Sequence, residues 1–163
     1  TIAETTARFV TAAREVGAAG IFYAVQQAQY GLLSEAEFGA FGRRYDLQVL
    51  EAARGLWCNV LHLHGTDVMF DQVRDYPVQV LNWHDQETAP SLGEGLRRFD
   101  GAVCGGLERW RDVVRGTPSL VRQRAAAAIA ETSGRRFILG TGCVTPIVAP
   151  HANLRAVRAS VGE

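Results

Sequence analysis

The sequence predicts an α/β protein built from parallel strands joined by helical crossovers, and three observations predict it. Five short apolar runs of strand length and β-leaning composition recur along the chain: 20–25, 59–64, 78–83, 102–107 and 136–140. Helix-start signals fall between them, and polar residues capable of chemistry gather just after them. Strand, helix, strand repeated in this way implies right-handed crossovers between parallel strands.

Taken in order, the first run ends on Gln26 and Gln27, and Ser34-Glu35-Ala36-Glu37 follows. In that capping box a hydroxyl and a carboxylate satisfy orphan helix N–H groups reciprocally, so a helix is expected next. The second run alternates Leu61, His62, Leu63 and His64. Strand periodicity puts both imidazoles on one side and both leucines on the other. The third run leads into Trp83-His84-Asp85-Gln86-Glu87, and Ser91-Leu92-Gly93-Glu94 is a second capping box. Within the fourth run, Gly105-Gly106 opens no GxGxxG helix start and reads as close backbone approach at a strand end. Thr117-Pro118 offers an N-cap with proline at the first helical position, and 122–131, rich in alanine, is a strong helix former. The fifth run precedes Pro150, the expected start of the last helix.

At 163 residues and 17.7 kDa, with 47% hydrophobic residues, the chain is expected to form a single domain, 1–163, with a real core. Five strands are too few to close a (β/α)8 barrel, which needs eight in about 250 residues. Either an open doubly wound sheet or the later part of a barrel accounts for the count. Both architectures carry their sites at strand C-terminal ends, where Gln26, His64, Asp67, His84, Asp85, Glu108 and Cys143 fall.

Composition excludes several functions. Seventeen basic residues balance seventeen acidic ones, so no broad positive field favours nucleic acid. Charged or amide residues interrupt every apolar run well short of the roughly 18 residues a membrane span needs. Every basic residue is arginine, which excludes Schiff-base chemistry and a Walker-type phosphate loop in this chain. The pairs Arg43-Arg44, Arg97-Arg98 and Arg135-Arg136 are expected to be solvated surface charge. Cys58, Cys104 and Cys143 show no CxxC spacing, which suits a reducing, cytoplasmic setting. No secretory signal opens the sequence, and Met69 is its one methionine, so a processed product or a piece of a longer protein is expected.

His62 and His64 converging at one strand end, with a thiol from another strand, make a zinc set of two nitrogens and one sulfur with one position left for substrate. Cys143 is the candidate thiol, because Gly140-Thr141-Gly142 before it lets backbone approach closely. The bland reading is one histidine bonded to backbone and one exposed at the rim. His84 and Asp85 are the candidate catalytic pair, able to orient substrate or to support a metal from behind, against the alternative of solvated loop charges beside a packed Trp83. Cys58 and Cys104 read as inert core thiols.

The segments Asn59-Val60-Leu61-His62-Leu63-His64-Gly65, Val80-Leu81-Asn82-Trp83-His84-Asp85 and 137–146, closing with Pro150-His151-Ala152-Asn153-Leu154, resemble the C-terminal half of the uroporphyrinogen decarboxylase superfamily. The resemblance runs through nearly the whole chain. It implies a (β/α)8 TIM-type barrel of which this chain holds roughly the last five β/α units. The decarboxylase branch uses no metal and places a histidine after the last strand's glycine. Here Gly142-Cys143 replaces it, and the strand ending Ala24-Val25-Gln26-Gln27-Ala28 lacks that branch's serine. The branch similar to methylcobamide:coenzyme M methyltransferases binds zinc through His-x-Cys after one strand and a cysteine in the last. His62-Leu63-His64 has histidine for the first cysteine, and Cys143 stands where the second is expected. Zinc accepts either donor. The resemblance therefore implies zinc-dependent methyl transfer from a corrinoid or a methylated small-molecule substrate to a thiol-type acceptor, with a corrinoid on a partner protein as one expected donor. Its rivals are metal-free decarboxylation of a porphyrinogen acid and a non-catalytic half-barrel. Five parallel strands leave two edges open to pairing, so a homo-oligomer or a missing N-terminal part is expected.

Overall fold

The computed structural model describes residues 2–162. All five expected strands are present, with ends shifted by a residue or two: β1 (Phe22–Val25), β2 (Val60–Leu63), β3 (Val80–Trp83), β4 (Ala102–Leu107) and β5 (Phe137–Thr141). They form one parallel sheet in the order β1-β2-β3-β4-β5. A doubly wound sheet reverses its strand order at a switch point. The sequential order here has no reversal, which excludes the doubly wound alternative and matches part of a (β/α)8 barrel.

The chain divides into two compact units, Thr1–Leu81 and Asn82–Glu163. In the first, α1 (Ile2–Glu15) packs on α3 (Arg44–Ala52) through Ala3, Val10, Val49 and Ala53. The Ser34–Glu37 capping box forms as expected and starts α2 (Glu35–Phe38). The helix then runs through a π-helical turn, Gly39–Arg43, into α3. That turn wraps the fully buried Phe38, whose ring lies 2.6 Å from where a Cβ on Gly42 would stand. Burial of such a ring contributes about 2–3 kcal/mol. Between β1 and β2 the register pairs Phe22 with Val60 and Val25 with Leu63, so both strands end at one level. Asn59 fixes their lower ends: its side chain accepts from Ile21 N at 3.2 Å and donates to Ala53 O at 3.0 Å.

In the second unit, the Ser91–Glu94 box starts α4 (Leu92–Arg98), and Thr117 caps α5 (Pro118–Thr132), which ends at Ser133 with φ 54°. Pro150 precedes α6 (His151–Ala159), as expected. A π-helical segment, Arg109–Val114, follows β4 directly. Glu108 supplies its cap by accepting from Trp110 N and Arg111 N, while Asp112 accepts from Glu108 N at 2.9 Å. The register pairs Cys104 with Ile138 and Gly106 with Gly140. Gly106, at φ +104°, passes so close to α5 that a Cβ would meet Ala128 Cβ at 2.6 Å. Not all the arginine pairs are solvated surface charge. The Arg136 guanidinium donates to the carbonyls of Leu96, Phe99, Asp100 and Gly101, and Arg43 grips Asp75 with two bonds of 2.9 and 2.7 Å. Carbonyls stranded at the end of α4 draw Arg136 inward, a demand that local sequence does not reveal. Among the described residues no helix is long and apolar enough to cross a membrane.

Candidate metal centre

The end of β2 carries two histidines. His62 is buried, its ring stacked on Phe22 at 5.7 Å between centroids and meeting the His64 ring edge-on at 5.8 Å. The two imidazoles lie together, as alternation along a strand requires. Just beyond, Gly65 adopts φ +90°, and a Cβ there would lie 2.2 Å from Gln29 Oε1. The turn that ends the histidine strand therefore requires glycine.

The ends of β3 and β5 carry the third histidine and the thiol. His84 is buried, with Nδ1 3.2 Å from Glu87 Oε1. A carboxylate at Nδ1 fixes the proton there and puts the lone pair on Nε2, the arrangement that makes histidine a metal ligand. Trp83 is packing: it is fully buried and donates Nε1–H to Pro90 O at 2.9 Å. Asn82 donates to Cys104 O at 2.9 Å and to Thr141 O at 3.1 Å, pinning β5 where it turns toward Cys143. Thr141 Oγ1 donates to Cys143 O, and Gly142 N donates to Leu107 O at 3.2 Å. A Cβ on Gly142 would stand 2.7 Å from Trp83 O and 2.8 Å from His84 Cα. Only glycine lets the Cys143 loop cross the strand end that carries His84. Cys143 itself is half-buried.

Asp85 points elsewhere. Its Oδ2 accepts from Gly106 N at 3.0 Å and from Gln86 Nε2 at 2.8 Å, and Oδ1 lies 2.2 Å from the position a Cβ on Gly105 would take. Its carboxylate thus reaches over β4, and burial pushes its pKa up to about 6. The close backbone approach expected at Gly105-Gly106 is made to this side chain and to α5. Cys104 is an inert thiol, pushed up to about 11 first by burial and then by the Asp85 charge.

His62, His64, His84 and Cys143 form one possible metal-binding group: each offers one ligand atom, and the four atoms lie within 4.8 Å of one another. Tetrahedral zinc with N at about 2.0–2.1 Å and S at about 2.3 Å spaces its ligands about 3.4–3.7 Å apart. The donor types, three imidazoles and one thiol, fit zinc and disfavour the oxygen-seeking ions. Sequence reasoning names His62, His64 and Cys143 as ligands and sets His84 behind them; in the structure His84 stands in the donor group. The residue it missed is Asn82, which had a signal, because asparagine inside an apolar strand is disfavoured unless its side chain has partners to satisfy.

Sequential parallel β/α units with histidines and a cysteine at their strand ends define a barrel-type β/α scaffold. The chain belongs to the uroporphyrinogen decarboxylase (URO-D) family, whose sequence model matches residues 1–163. Among solved structures, a methyltransferase from Methanosarcina mazei shares the fold with a TM-score of 0.82 and 20% sequence identity, over 98% of this chain and 46% of its own. The chain thus spans less than half the length of that relative. No curated protein matches it.

Proposed function

We propose that the chain is the C-terminal part of a zinc-dependent methyltransferase of this family, moving a methyl group from a corrinoid on a partner protein to a thiol-type acceptor. The observation that carries the reading is the group of three imidazoles and one thiol at the strand ends. His62, His64 and Cys143 would hold the ion. Zinc bound there lowers the pKa of an acceptor thiol, as it lowers that of water. With Cys143 as the one anionic donor in the set, a bound zinc ion would keep a net positive charge and favour an anionic acceptor. His84, whose Nδ1 lies 3.2 Å from Glu87 Oε1, would take the acceptor's proton on Nε2, with Glu87 stabilising the resulting imidazolium. Asp85 is a positioning residue, tying the end of β3 to Gly106 and so holding His84 in place.

The test uses the protein purified at full length. One zinc per chain by elemental analysis, thiol methylation from methylcobalamin, and loss of both in Cys143→Ala are the expected results. Absence of zinc with activity intact in that variant would overturn the reading. Decarboxylation of a porphyrinogen acid is the second reading, favoured by the description of the family whose model matches. Release of carbon dioxide from uroporphyrinogen by the metal-free protein would select it.

A further inference from the structure

The two imidazoles at the end of β2 have an aromatic neighbour on β1 whose role the metal set leaves open. On β1, Tyr23 turns toward α3, where its hydroxyl and that of Tyr76 donate to the two Asp46 oxygens at 2.8 and 2.9 Å. Alternation therefore puts Phe22 and Ala24 on the opposite face of the strand. The register sets Ala24 beside His62 and Phe22 beside Val60, so this is the face that carries His62 and His64. The methyl group of Ala24 fills little of the space next to His62, and the Phe22 ring leans across it. The phenyl and imidazole rings stack with centroids 5.7 Å apart and planes 23° from parallel. Phe22 is 62% exposed and so contributes little to the core, whereas the imidazole it lies against is 4% exposed.

Histidine's outer torsion joins a tetrahedral carbon to a planar ring, and such torsions are broad instead of staggered. A strand can thus bring an imidazole to a site without fixing the plane of the ring. Its nitrogen lone pairs lie in that plane, so a wrong plane aims them past the ion. Partners beyond the ligands usually fix this orientation, as Glu87 does at Nδ1 of His84. At His62 the flat contact with Phe22 limits the same rotation. Coordination also draws electron density out of an imidazole, and an aromatic face attracts the positive charge that results. We infer that Phe22 is a positioning residue for the metal site, holding the His62 ring in the plane from which it binds the ion. The inference rests on the zinc reading of that site and extends it to a residue outside the donor set.

The test compares zinc affinity in the full-length wild type, Phe22→Leu and Phe22→Tyr by competitive chelator titration. Leucine stays apolar but has no flat face, and it should weaken zinc binding about tenfold, the scale of losing a partner that orients a ligand. Tyrosine keeps the face and should restore wild-type affinity. Since the ring is largely in water, the metal-free proteins should all unfold at the same temperature. Loaded with cobalt(II) in place of zinc, Phe22→Leu should show altered visible ligand-field bands, and Phe22→Tyr the wild-type bands. Wild-type affinity and bands in Phe22→Leu would overturn the inference while leaving the zinc reading in place, and so would equal losses in the leucine and tyrosine variants. A wild type that binds no zinc would overturn both.

Discussion

Replacement of Asn153 by alanine should destabilise the protein far more than its place in the first turn of α6 suggests. The side chain is 1% exposed, and its amide donates to Val113 O at 2.9 Å and to Gly116 O at 2.8 Å. These are the carbonyls at the close of the π-helical segment and in the turn before α5, where the helical ladder has run out. Alanine leaves both acceptors buried without a donor. Each such orphan costs about 1–3 kcal/mol, so the pair and the lost packing amount to roughly 3 kcal/mol. Against a total stability of about 5–15 kcal/mol that is a large fraction. For a domain of this size it corresponds to a fall in Tm of roughly 6–12 °C. Equilibrium urea unfolding measures it directly, and Asn153→Asp provides the control, since it keeps the volume but sets an anion against two carbonyl oxygens. It should be at least as damaging as alanine. A loss under about 1 kcal/mol for Asn153→Ala would refute the hydrogen-bond reasoning.

Two further outcomes follow from the same geometry. Gly142→Ala puts a Cβ 2.7 Å from Trp83 O, a backbone atom that cannot rotate away, so the Cys143 loop must shift. Zinc affinity should fall at least tenfold in a competitive chelator titration, and retention of wild-type affinity would show that the loop is more adaptable than its path implies. Burial raises the Asp46 carboxyl above its ordinary value despite the opposing phenol bonds. A raised carboxyl stabilises the fold below the unfolded pKa of about 3.9, and that contribution is lost as pH rises through the raised value. The wild type should therefore lose stability relative to Asp46→Asn from about pH 4 upward, as read from urea midpoints at several pH values. A constant gap between the two proteins would contradict the shift.

Strand positions were legible because each strand is a short apolar run bounded by punctuation, and the capping boxes at Ser34 and Ser91 formed as local chemistry alone requires. What the local pattern left open was sequential against doubly wound order, because strand order depends on crossovers whose direction no short window encodes. The π-helical turns at 39–43 and 109–114 were hidden for a similar reason. They arise where buried Phe38 and the Glu108–Asp112 pair impose a wider turn on sequences with ordinary helix propensity. At the site, alternation placed His62 beside His64 and glycine placed Cys143. The path of Asp85 toward β4, by contrast, depends on the missing side chain of Gly105 on a neighbouring strand, a relation that no motif around Asp85 records. His84 joined the donors for a reason visible only in three dimensions: the Gly142 turn lies on its Cα.

The coordination sphere of zinc tests the central claim most directly. X-ray absorption at the zinc edge, on protein loaded with one equivalent, should give one sulfur at about 2.3 Å with nitrogen donors at about 2.0–2.1 Å, and Cys143→Ser should remove the sulfur shell while the nitrogens stay. A shell without sulfur in the wild type, or one unchanged in Cys143→Ser, would contradict it.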